Sequence, residues 1–203
     1  YYKGYAYKSI KPISRSYISY SSESNLVSVT TEKLDQTISF EPLPVKTYGD
    51  ASFALGAQAT SGLSVNYTSS DTKVAEVKNN QINIKGAGSA IITANQSGNS
   101  MYKPAESISQ VLTVNKKDLT IGGSFLVQDR VYDGTTNALI TENNLTLEGL
   151  VYSDVLTLNP VAEFSDKNVG GSKQVNLSGS TSLQPNIKSG VDIRNHYNFI
   201  LVG

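Results

Sequence analysis

Val74-Ala75-Glu76-Val77-Lys78-Asn79-Asn80-Gln81-Ile82-Asn83-Ile84 sets two apolar runs on either side of a pair of asparagines, and the fold class follows from it. Apolar residues lead into Asn79-Asn80, and Ile82 and Ile84 alternate with polar residues after it. Alternation at a period of two places one set of side chains on one face of a strand. Both asparagines tolerate the left-handed conformation that a two-residue hairpin turn requires. The stretch therefore predicts a β-hairpin, with Ile82 and Ile84 facing a core.

The same grammar extends in both directions. Upstream, Gln36-Thr37-Ile38-Ser39-Phe40 puts Ile38 and Phe40 on one face and ends at Pro42 and Pro44. Phe53, Leu55, Ala57 and Ala59 alternate next, Ser61-Gly62 supplies a turn, and Val65 and Tyr67 begin another strand. Downstream, Gly86-Ala87-Gly88 turns the chain into Ala90, Ile92 and Ala94; a loop over Ser97–Pro104 follows, and Leu112 and Val114 close the series. About seven short strands with regular turn residues are the pattern of a sandwich. After Lys116-Lys117-Asp118 a second β series runs through Leu119/Ile121, Phe125/Val127, Ala138/Ile140, Leu145/Leu147, Leu156/Leu158, Val161/Phe164, Val175/Leu177 and Tyr197/Phe199/Leu201. The joint is short, so a restricted angle between modules is expected. No stretch carries the 3.6-residue period of an amphipathic helix.

Composition narrows the function classes. The 203 residues carry 17 basic and 17 acidic side chains. Residues 1–35 hold five basic and three acidic groups, residues 36–115 five of each, and residues 116–203 seven and nine. No segment is basic enough to call for nucleic acid or an anionic membrane as partner. No apolar run is long enough to span a bilayer, so no membrane insertion is expected within these residues. The chain opens on Tyr1-Tyr2, read as an internal or processed start, and any targeting segment is expected outside it. Cysteine is absent, which removes disulfides, thiolate metal sites and a Cys nucleophile.

Residues 1–35 differ from the rest. Tyr1, Tyr2, Tyr5, Tyr7, Tyr17 and Tyr20 make up six of the 12 tyrosines. Tyr5-Ala6-Tyr7, Ser16–Tyr20 and Asn25–Thr31 read as short strands, and the segment as the end of a preceding module or a linker. Its tyrosines have two readings: packing against a neighbouring module, or a contact surface for a glycan or protein ligand.

Two resemblances stand on specific residues. Gln36–Phe40, Pro44–Asp50, Ser61–Ser70, Val74–Val77, Gly86–Ala94 and Gly98–Ala105 closely resemble the bacterial Ig-like, MBG-type repeats of large exported adhesins. Val131-Tyr132-Asp133-Gly134-Thr135-Thr136, Gly149–Leu158 and Phe164–Gly170 resemble the YDG-type module that follows such repeats. Ile187–Arg194 reads as an insertion relative to that module, whose last strand is expected beyond Gly203 or supplied from elsewhere. The implied architecture is all-β: an N-terminal segment over 1–35, an Ig-like β-sandwich over 36–116 and a YDG-type β-sandwich over 117–203. The implied role is a structural spacer at the bacterial surface or in a secreted protein, partnered by neighbouring repeats of the same protein. The rival is a ligand-binding or assembly module acting through the Tyr-rich start or an open sheet edge.

Candidate chemistry is sparse. Tyr48-Gly49-Asp50 and Tyr132-Asp133-Gly134 read as structural turns, with the Gly at positive φ, an Asx-type bond from the Asp, and the Tyr covering the core edge while its hydroxyl meets backbone. Calcium at Asp50, Asp133 or Asp166 is the weaker alternative, since no EF-hand pattern accompanies them. His196 is the only histidine and reads as a loop residue, without a nucleophile elbow or further ligands. Asp129/Asp133 and Glu163/Asp166 read as solvated loop charges rather than a hydrolytic pair. No catalytic residue, metal or cofactor is expected.

Overall fold

The computed structural model describes residues 16–19, 28–188 and 190–201. The fold is all-β: many short strands arranged in several sheets, with, among the described residues, one 3₁₀ turn at Ile193–His196. The longest strands are Gly88–Asn95 and Ile108–Asn115.

Contacts divide the chain into two compact units, neither continuous in sequence. One comprises Tyr1–Pro42, Leu55–Thr68 and Ile92–Gln110. Within it, Ser16–Ser19 pairs antiparallel with Ser28–Thr31, and Tyr17 lies opposite Thr30. Ile38–Ser39 pairs with Gln58–Ala59. Ile38, Phe40, Leu55, Val65, Ile92 and Ala94 form its buried face. Gln36 opens the Q-T-I-S-F stretch and is itself buried. Its amide donates to Gln96 Oε1 at 3.2 Å and to the Lys103 carbonyl at 2.6 Å, and its Oε1 accepts from the Ser61 hydroxyl. Gln96 in turn donates to the Ser64 carbonyl at 3.0 Å. A buried amide costs free energy unless bonded in this way, so Gln36 fixes where three loops meet.

The other unit comprises Leu43–Ala54, Ser69–Ile91 and Val111–Gly203. The Asn79-Asn80 hairpin lies here: Ala75–Lys78 pairs with Gln81–Ile84, and Asn79 and Asn80 take φ of 52° and 58°. Ile82 is fully buried and Ile84 nearly so. Phe53–Ala54 adds to the other edge of Gln81–Ile84. Lys46–Thr47 runs parallel to Val114–Asn115. Lys117–Gly122 is flanked by Thr146–Glu148, antiparallel, and by Tyr197–Phe199, parallel, with Lys117 opposite Tyr197. Leu112 and Leu119 are fully buried. Phe125–Val127 pairs with Ile140–Asn143 through a bulge, and Asn137–Ala138, Ala162–Phe164 and Val175–Leu177 form a three-stranded sheet.

One expectation needs revision here. Phe53 to Ala59 is not one strand but two, Phe53–Ala54 and Gln58–Ala59, with Gly56 between them. Within the insertion-like Ile187–Arg194, Ile187–Lys188 pairs with Val191–Asp192, and the 3₁₀ turn follows directly. Asp192 caps that turn by accepting the Arg194 N–H at 3.1 Å, while the Arg194 guanidinium grips the same carboxylate and donates to the Leu183 carbonyl at 3.0 Å. The guanidinium hydrogen bond lowers the Asp192 pKa to about 2.

Candidate functional site

The densest cluster of ionisable and aromatic groups centres on Asp154, whose side chain is completely buried. Three segments converge on it. The first is the Tyr48-Gly49-Asp50 turn, in which Asp50 N–H donates to the Thr47 carbonyl at 3.0 Å and Asp50 Oδ2 accepts the Thr47 N–H at 2.9 Å. That turn follows Lys46–Thr47, and Tyr48 is 4% exposed. The second is the turn Val151-Tyr152-Ser153-Asp154, closed by Asp154 N–H to the Val151 carbonyl at 2.9 Å. The third is the 3₁₀ turn, which delivers His196 and Tyr197.

Asp154 Oδ2 accepts from the hydroxyls of Tyr48 and Tyr197, each at 2.9 Å, and Oδ1 accepts from Lys188 Nζ at 3.0 Å. The Tyr197 hydroxyl also accepts the Val151 N–H at 3.1 Å. Burial pushes the Asp154 carboxyl up, but the hydrogen bonds from Lys188, Tyr48 and Tyr197 outweigh it and hold the group below its ordinary value. Burial drives the Tyr48 phenol well above its ordinary value, reinforced by the Asp154 carboxylate. Tyr197 is raised by burial too; the Val151 N–H opposes this and the Asp154 carboxylate adds to it. The arrangement is thus one carboxylate and two neutral hydroxyl donors, a charge-assisted knot that gains from its burial.

His196 is not a loop histidine. It is 7% exposed, its ring lies 4.7 Å from that of Tyr48, and Nδ1 accepts the Ala87 N–H at 3.1 Å. Gly86 makes the approach possible: a Cβ there would come within 2.6 Å of His196 Cε1 and 2.7 Å of the Lys73 carbonyl oxygen. This gives Gly86-Ala87-Gly88 a role beyond turning the chain. Gly49 does the same against Val151, whose Cγ1 would lie 2.9 Å from an added Cβ. Burial lowers the His196 pKa, so the ring is held neutral as an acceptor.

The remaining candidates lie elsewhere. Tyr1, Tyr2, Tyr5, Tyr7 and Tyr20 fall outside the described residues. Tyr132 is 61% exposed. Asp133 Oδ1 accepts from the Thr135 N–H at 2.8 Å and from Arg130 at 2.6 Å, and Gly134 takes φ of 78°. The Thr135 hydrogen bonds, with Arg130 beside them, hold the Asp133 carboxyl below its ordinary value. Asp166 pairs with Lys173, and Arg130 stacks over the Phe164 ring at 5.2 Å. No group of three or more potential metal ligands occurs among the described residues. Sequence reasoning missed Asp154 as the partner of Tyr48, and Lys188 and Tyr197 as the other partners of Asp154. Local spacing carries no trace of a contact between positions 48 and 154.

Residues 115–192 match the family model of the YDG domain. No curated protein and no solved structure matches the chain. Asp154 and Lys188 lie inside the matched stretch, while Tyr48 and Tyr197 lie outside it. Residues 115–192 are therefore similar to a YDG-type module, and the knot joins the buried carboxylate of this stretch to residues on both sides of it.

Proposed function

We propose that the chain is a structural spacer from a cell-surface or secreted bacterial adhesin, extending a distal functional region and performing no catalysis itself. The reading takes residues 36–116 as an MBG-type Ig-like repeat beside the YDG-type module, with neighbouring repeats as its partners. The observation that supports it most is how Asp154 is used. Among the described residues it is the only buried carboxylate, and both its oxygens are taken by groups of the chain itself. A carboxylate that serves as acid, base or nucleophile needs an oxygen facing its substrate. This one is spent on holding the fold.

Surface display tests the proposal. Placed between a bacterial surface anchor and an epitope, the chain should raise antibody access to that epitope as an unrelated β-sandwich spacer of equal length does. If the chain reaches the surface and epitope access does not rise, the spacer reading is wrong.

A further inference from the structure

Beside the Asp154 knot lies an open cleft of about 710 Å³, within one compact unit. Its volume is in the range of small-molecule sites. Tyr152, Lys73, Lys85, Lys188, Asp50 and Asn83 line it. Tyr152 and Ser153 both adopt left-handed backbone, at φ of 53° and 58°. For residues other than glycine this conformation is sterically disfavoured, and such strain concentrates where a side chain must be aimed. Here it sets the Tyr152 ring edge-on to Tyr48, 5.2 Å between centroids, and sends its hydroxyl to the Asp50 carbonyl at 2.9 Å. The hydroxyl hydrogen is thereby used, and what Tyr152 offers the cleft, at 47% exposure, is the ring.

The charges define the rest of the ligand. Three lysines and one aspartate give the lining a formal excess of two positive charges, three minus one. Lys188 is shared with Asp154 and Lys85 with Glu76 at 3.6 Å, while Lys73 makes no ion pair among the described residues. Asp50 spends Oδ2 on the Thr47 N–H, and among the described residues Oδ1 accepts nothing. A fitting ligand therefore carries a carboxylate for the lysines, hydroxyl donors for Asp50 and Asn83, and an apolar ring face for Tyr152. We propose that this cleft binds a small carboxylated saccharide of the uronic or sialic acid type.

The test is a titration of the full ¹⁵N-labelled chain with digalacturonate and with sialyllactose, followed by NMR. Saturable shifts are expected at the amides of residues 50–52, 72–73, 83–85 and 152 with at least one of these sugars. The Lys73→Glu/Lys85→Glu variant should weaken that binding by about tenfold or more. Both lysines are exposed, so the variant should keep the parent spectrum. Lys73→Gln, a milder change, should weaken binding in the same direction. If neither acidic sugar shifts these amides, or if lactose, acetate or inorganic phosphate shift them equally, the proposal is overturned.

Discussion

Asp154 decides how the knot is held, and magnitudes separate its partners. Lys188 is 54% exposed at its side chain, so its ion pair is screened by water and contributes about 0.5 kcal/mol. The two tyrosine hydroxyls donate to the same carboxylate from inside the fold, where a hydrogen bond to a charged group contributes about 2 kcal/mol. Tyr48→Phe should therefore lower unfolding stability in urea by about 2 kcal/mol, and Lys188→Met by less than about 1 kcal/mol. Equal losses would mean that the lysine holds the carboxylate as strongly as a buried hydroxyl does. His196 carries a pH dependence of definite sign. Its folded-state pKa lies below the ordinary imidazole value, so the unfolded chain takes up the proton first. Stability should be complete above about pH 6.5 and fall as pH drops through the folded-state pKa. Urea midpoints at neutral and mildly acidic pH should show this fall in the parent chain and much less of it in His196→Gln, whose amide oxygen is still able to accept the Ala87 N–H. An unchanged slope in the variant would place the titrating group elsewhere.

At the scale of elements, what was legible in the sequence was local. Asn79-Asn80 announced its hairpin because turn chemistry and the alternation of Ile82 and Ile84 lie within a few residues of each other. Asn80→Gly should leave the urea midpoint nearly unchanged, whereas Asn80→Val should cost roughly 1–2 kcal/mol by forcing a β-branched residue to positive φ. Ile38 and Phe40 were legible for the same reason, and both are buried. The break of Phe53–Ala59 into two strands was not, because alternation continues in burial across Gly56 while pairing does not. Nor was the pairing within Ile187–Arg194. Its hairpin and 3₁₀ turn depend on Arg194 reaching Leu183 and on Lys188 reaching Asp154, neither of which is a pattern along the chain.

At the scale of the molecule, each of the two compact units is assembled from three segments that are not contiguous in sequence. The site was illegible for that reason: Tyr48 and Asp154 are 106 positions apart, and the glycine that admits His196 is Gly86. Single-sequence reading finds turns and faces; it does not find which turn meets which. It placed the YDG-type module, and it took Tyr48-Gly49-Asp50 as a turn, but it assigned the Tyr48 hydroxyl to backbone where the structure gives it a carboxylate. Residues 43–54 and the YDG-type module fold as one unit held by this bond. A double-mutant cycle with Tyr48→Phe and Asp154→Asn, followed by urea unfolding of the full chain, is the decisive measurement. A coupling of about 1–2 kcal/mol between the two positions is expected. Additive losses, with no coupling beyond error, would mean that the bond does not join them.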